Sequence, residues 1–242
     1  MPRLLIVKTG DAFPEVVQEH GDFEALFQQV LTRAGFEAAV FDARHEPLPD
    51  LADIDGLTIT GSHAMVSDAE PWSEALKPWL REALARDLPL LGVCYGHQLM
   101  AAAFDGESGY HPAGRESGTH AIILTEAGRT DPLLGQLPTA FRAHLTHAQS
   151  VLELPPNASV LARNAHDPFQ ALRYGPRQWS VQFHPEFTAP VMRAYLARQV
   201  DKLRDQGQDV PALIEGVTDT PEASSLLCRF AALVNVPRGA SG

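Results

Sequence analysis

The run Leu4–Val7 is apolar at every position, the pattern of a strand buried on both faces. Such a strand needs helices above and below it, and the sequence supplies them in alternation. Asp22 precedes an apolar-periodic stretch, Phe23, Leu26, Phe27, Val30 and Leu31, and Gly35 follows as a stop. This reads as a capped amphipathic helix. Val40 and Phe41 fall in a second strand and Leu57–Thr60 in a third. Trp72–Arg86 reads as a helix, with Pro71 suited to its start and Pro89 closing it. Leu90–Val93 is a fourth buried strand, followed by a helix over Gln98–Phe104. This alternation implies a parallel sheet covered on both faces.

The second half changes character. Short strand-like runs at Thr119–Thr125, Phe141–Leu145, Ser159–Asn164, Phe169–Tyr174 and Gln178–Phe183 are separated by turn residues. They read as antiparallel additions. One long helix is expected over Ala189–Gln206 and another over Pro221–Val234, with Cys228 buried as a packing residue. The expected class is therefore α/β: an open, mostly parallel sheet with helices on both faces, plus antiparallel additions in the second half. Residues 1–205 are expected to form one domain, and residues 206–242 a C-terminal helical extension packed on it.

Composition narrows the function. Of the 242 residues, 30 are acidic and 19 basic, a net charge of −11. Nucleic-acid binding needs clustered Lys and Arg, so no nucleic-acid partner is expected. With two cysteines, Cys94 and Cys228, there is no disulfide framework and no C-x-x-C zinc pair. No apolar run reaches the length of a membrane span or a signal-peptide core, so no membrane partner is expected and a cytoplasmic, reducing setting is the simplest reading.

The chemistry concentrates in Leu90-Leu-Gly-Val-Cys-Tyr-Gly-His-Gln98. A buried strand runs into Gly92-x-Cys94-x-Gly96 and then into a helix, the cysteine form of a nucleophile elbow. So tight a turn crowds the neighbours of the nucleophile, and a glycine two residues to either side relieves the crowding. The helix N-terminus favours negative charge at the sulfur and offers backbone N–H groups to an oxyanion. The alternative, a buried structural cysteine, explains neither glycine.

A cysteine nucleophile needs a base, and the base needs an orienting partner. Of the ten histidines, His20, His45, His111 and His166 lie in polar, turn-like contexts and read as solvated. His144 and His147 are spaced i, i+3, but in a strand-like context that argues against a metal pair. His184 ends the apolar strand through Phe183 and is followed by Pro185 and Glu186. In an extended chain residues two apart share a face, so Glu186 could hold the imidazole.

The two segments Gly92-Val-Cys-Tyr-Gly-His-Gln98 and Val181-Gln-Phe-His-Pro-Glu-Phe187 resemble the paired signatures of the class I glutamine amidotransferases, with Tyr95 closest to the GMP-synthase-type branch. The similarity spans about residues 3–200, and the family's open α/β sheet agrees with the alternation above. The resemblance implies Cys94 as nucleophile, His184 as general base and then acid, and Glu186 as its orienting partner. It implies an oxyanion hole from Tyr95 and from the loop Thr60-Gly61-Ser62-His63, where Ser62 departs from the family's frequent second glycine. It also implies that Gln98 holds the amino-acid end of the substrate, and that His147, Gln149 and Ser150 line the same pocket. No metal and no cofactor is implied.

The implied reaction is transfer of a γ-glutamyl group to sulfur, with glutamine or a related γ-glutamyl small molecule as substrate. No G-x-x-x-x-G-K-[ST] phosphate loop follows the second motif. Three readings stay open: a glutaminase component supplying ammonia to a synthase on a separate chain, a self-sufficient γ-glutamyl peptide hydrolase, and a non-catalytic binding or regulatory protein on the same scaffold.

Overall fold

The computed structural model describes residues 3–235; the last seven positions of the expected extension, 236–242, lie outside it. Strand β1 (Leu4–Lys8) leads through α1 (Pro14–His20) and α2 (Phe23–Arg33) to β2 (Ala38–Asp42). Next come β3 (Gly56–Ile59), α3 (Pro71–Ala85), β4 (Leu90–Val93) and α4 (Tyr95–Ala103). The second half carries β5 (Glu107–Tyr110), β6 (Glu116–Leu124), the single turn α5 (Glu126–Arg129), β7 (Ala140–His147), β8 (Gln149–Glu153), β9 (Ser159–Arg163), β10 (Ala171–Gly175) and β11 (Gln178–Val181). Four helices close the described chain: α6 (Ala189–Arg198), α7 (Val200–Asp205), α8 (Val210–Glu215) and α9 (Pro221–Val234).

The main sheet has nine strands in the order β2-β1-β3-β4-β11-β10-β9-β6-β7. From β2 to β11 every neighbouring pair is parallel; from β11 outward every pair is antiparallel. This is the α/β architecture expected, an open sheet with an antiparallel wing. Strands β5 and β8 form a separate antiparallel ribbon that the sequence reading missed. The hydrophobic pattern explains the layering. Phe27 and Leu31 of α2 join Leu226, Leu227 and Phe230 of α9 in one core, while Leu76 and Leu80 of α3 join Leu99 and Met100 of α4 in another. A third cluster, Phe23, Phe187, Tyr195, Leu203 and Val210, ties α2, α6, α7 and α8 to the segment after β11.

Several expectations need correction. The long helix breaks at Gln199: its N–H turns to the Leu196 carbonyl (3.2 Å), and its own side-chain amide takes the Tyr195 carbonyl (3.2 Å). Strand β11 ends at Val181 rather than Phe183, because residues 184–187 make a turn closed by Phe187 N–H to His184 O (3.3 Å). Cys228 is only half-buried; its thiol lies 3.9 Å from the Val30 carbonyl, and burial pushes its pKa up. His111 and His166 are not free in solvent but stack on each other at 4.3 Å. No helix of the described residues is long and apolar enough to cross a membrane.

Candidate active site

Ligands in open α/β sheets bind beyond the C-terminal ends of parallel strands. The register of this sheet brings three distant segments together there. Ile59 pairs with Gly92, so two residues further on Gly61 lies beside Cys94. Val181 pairs with Val93, and the Cys94 N–H donates to the Val181 carbonyl (2.9 Å). A Cβ built on Gly61 would stand 3.0 Å from Cε1 of His184 and 3.6 Å from Cβ of Cys94.

Cys94 is the residue between β4 and α4, at φ 52° and ψ −100°. A non-glycine residue at positive φ costs of order 1–3 kcal/mol and persists only where its surroundings over-determine it. Here they do. A Cβ on Gly92 would lie 2.5 Å from the Gly96 carbonyl oxygen, and one on Gly96 would lie 2.7 Å from the Ile59 carbonyl oxygen. The two glycines let α4 start at Tyr95, directly after the cysteine, rather than at the expected Gln98. The Tyr95 ring is buried under Trp72 and its hydroxyl pairs with Ser73 (2.6 Å), so only its backbone N–H is available on the Cys94 side.

The loop after β3 is oriented by two threonines. The hydroxyls of Thr9 and Thr60 lie 3.1 and 3.0 Å from the Gly61 carbonyl oxygen. A trans peptide points its N–H away from its carbonyl, so the Ser62 N–H is directed opposite to these hydroxyls. Gly10 makes room for Ser62: a Cβ there would lie 2.9 Å from the Ser62 Cα. Thr9 and Gly10 were not singled out from the sequence, because their role exists only once β1 and β3 are neighbours.

His184 and Glu186 are both buried, with Nδ1 2.7 Å from Oε1. A turn brings them together, not the strand alternation expected. The His184 N–H is anchored to the His144 carbonyl on β7 (2.9 Å), and its ring stacks on Phe187 at 4.1 Å. Oε2 of Glu186 meets no donor among the described residues, so the carboxylate charge is turned on the imidazole. Burial opposes the charged ring, but the Glu186 carboxylate and the Cys94 sulfur outweigh it and raise His184 to about 10. The arrangement therefore favours an imidazolium beside the Cys94 sulfur.

These groups open onto a cavity of about 160 Å³. Cys94, His184, Ser62, Gln98, His147 and Gln149 line it. The side-chain amide of Gln98 donates to the Gln149 carbonyl (2.6 Å) and to Gln182 Oε1 (3.1 Å), leaving its own oxygen for a ligand donor. Both ring nitrogens of His147 are engaged, with Glu116 (3.0 Å) and the Gln149 carbonyl (2.9 Å), so it braces the wall. Ser150 is not on the cavity surface: fully buried, its hydroxyl faces His147 Nδ1 at 3.2 Å. Its position directly after the wall residues in sequence hid that difference. His63, at the end of the expected oxyanion loop, also lines the cavity, and so do Arg115, Tyr195 and Lys202, which were missed because they come from three segments with no shared local pattern.

The family model for glutamine amidotransferase class-I matches residues 16–203. The chain belongs to the class I glutamine amidotransferases. It is thereby a cysteine-type amidohydrolase. It is 34% identical over 173 residues to a glutamine-hydrolysing GMP synthase subunit of Ignicoccus hospitalis, covering 71% of this chain and 87% of that one. It is 26% identical over 208 residues to gamma-glutamyl peptidase 5 of Arabidopsis thaliana, covering 84% of this chain and 82% of that one. Among solved structures, a glutamine amidotransferase from Methylobacillus flagellatus shares the fold with a TM-score of 0.77 at 21% identity, covering 100% of this chain and 98% of that one.

Proposed function

We propose that this amidotransferase hydrolyses the γ-amide of glutamine or of a related γ-glutamyl compound through a thioester on Cys94. The observation that carries the reading is the shared space of Cys94, His184 and the Gly61–Ser62 loop at one sheet edge. The Cys94 thiolate attacks the γ-carbonyl carbon. The carbonyl oxygen takes the electron pair and is held by the N–H groups of Ser62 and Tyr95, with Gly61 setting the loop. As the C–N bond breaks, His184 gives its proton to the departing ammonia or amine. His184, now neutral, removes a proton from water, hydroxide displaces the thiolate, and glutamate leaves. Glu186 holds the imidazole and balances its charge. Gln98, His147 and Gln149 shape the pocket around the amino-acid end of the substrate.

Two fates of the nitrogen follow from the relatives. Similarity to the GMP synthase subunit supports a glutaminase component that passes ammonia to a synthase on a separate chain. The longer alignment with a gamma-glutamyl peptidase, reaching 84% of this chain, supports a self-sufficient hydrolase instead. Under either reading residues 206–242 serve as an extension of the 1–205 domain in a cytoplasmic protein. Glutamate release by the purified chain from glutamine and from γ-glutamyl peptides separates them: rapid peptide turnover supports the hydrolase, and slow glutaminase activity with inert peptides supports a synthase partner.

A further inference from the structure

Two cations face the cavity that holds Cys94. Arg115, at the foot of β6, and Lys202, on α7, both line it, and no Asp or Glu does. No carboxylate among the described residues acts strongly on either. Burial lowers Arg115, whose Nε is enclosed without a partner, and Lys202 is held below its ordinary value chiefly by the Arg115 charge. Like charges so placed repel each other unless an anion comes between them. The chain as a whole carries −11, so this is a local reversal of charge at the cavity that holds Cys94.

The placement is built. The side-chain amide of Gln208 donates to the Arg115 carbonyl (2.8 Å), fixing the start of β6. The break at Gln199, whose amide also donates to Thr146 Oγ1 (3.2 Å), sets the direction of α7 and so the position of Lys202.

The charge count of the substrate decides what this pair receives. Free glutamine is a zwitterion, with one ammonium cancelling one carboxylate. A γ-glutamyl amino acid adds a second carboxylate on the amine that leaves, and the substrate holds no second ammonium to cancel it. Building on the hydrolase reading above, we propose that Arg115 and Lys202 form a carboxylate clamp that selects γ-glutamyl amino acids by the carboxylate of the departing amino acid. The pair determines specificity and takes no part in the bond changes.

The test uses the full chain carrying Cys94→Ala, so that ligands bind without turnover, and compares γ-glutamylglycine with its C-terminal amide by calorimetry. The peptide with the free carboxylate should bind at least about ten-fold more tightly. In Cys94→Ala with Arg115→Gln and Lys202→Gln, that preference should vanish while affinity for the amide stays the same, which also shows that the variant is folded. Equal affinity for the two ligands before the clamp is altered overturns the proposal. So does an equal loss for both ligands in the altered chain, which would assign the pair to the γ-glutamyl carboxylate. Glutamate release by the unaltered chain is measured alongside. Selective binding with no release from either compound overturns the hydrolase reading, whereas release without selectivity overturns the clamp alone.

Discussion

Gly96 rests on the backbone of the neighbouring strand, so closely that a Cβ would lie 2.7 Å from the carbonyl oxygen of Ile59. The contact presses the first turn of α4 against β3 and leaves Cys94 at positive φ between them. Gly96→Ala must push α4 outward or distort β3. A loss of about 1–3 kcal/mol is expected, as for other overpacked sites. Thermal unfolding should fall by roughly 2–4 °C for each kcal/mol lost. An unchanged midpoint would show that the elbow is less constrained than its geometry indicates.

Under the proposed mechanism Gly10 acts on the reaction through Ser62. A methyl group there would lie 2.9 Å from the Ser62 Cα and displace the loop whose N–H faces the cavity. Gly10→Ala should lower kcat with little change in KM, because the oxyanion exists only during reaction. Removing one oxyanion donor costs about 10²–10³ in rate, which sets the upper end of the effect. Steady-state kinetics on glutamine or a γ-glutamyl peptide distinguishes this from a binding defect, which would raise KM instead.

Under the proposed mechanism His184 sets the alkaline limb of the pH profile. The group that protonates the leaving nitrogen must carry a proton, and His184 is raised to about 10 despite burial, by Glu186 and Cys94. A raised pKa keeps the proton below that value and loses it above. Activity should therefore decline as pH rises through about 10, not through the ordinary histidine value of 6.5. Glu186→Gln removes the principal raising charge, so the limb should move down in pH. Its rate should fall, but less than that of His184→Ala. A Glu186→Gln profile that overlays the original would remove Glu186 from the account.

Gln199 ties the cavity wall to the helix break. Gln199→Ala frees the Tyr195 carbonyl and the Thr146 hydroxyl together. The expected cost is about 0.5–1.5 kcal/mol for each net hydrogen bond lost. A rise in KM should accompany it, because α7 is then free to continue α6 and carry Lys202 away from the cavity. A stability loss with KM unchanged would separate the break from the pocket.

The parallel core was legible because buried strands are short apolar runs. Leu90–Val93 and Pro221–Val234 have the expected boundaries, and Asp22 caps α2 as its position suggests, accepting from the Phe23 N–H. Cys94, His184 and Glu186 stood out because their chemistry is written in contiguous segments. What the sequence hid depends on partners distant along the chain. The ribbon of β5 and β8 has a weak pattern, since Glu107, Ser108 and Tyr110 pack little, and Ser150 follows the pocket residues in sequence while pointing behind them. The helix break at Gln199 arises from a side chain competing for a carbonyl of its own helix, which periodicity does not register. Arg115 and Lys202 are 87 residues apart and share a cavity only through the packing of α6 and α8 against β6.

The central claim is nucleophilic attack by Cys94. The direct measurement is glutamate release from glutamine and from γ-glutamyl peptides by the unaltered chain and by Cys94→Ala, with circular dichroism confirming that both are folded. The account predicts release by the unaltered chain and none above background from Cys94→Ala. Near-full activity in Cys94→Ala would contradict it.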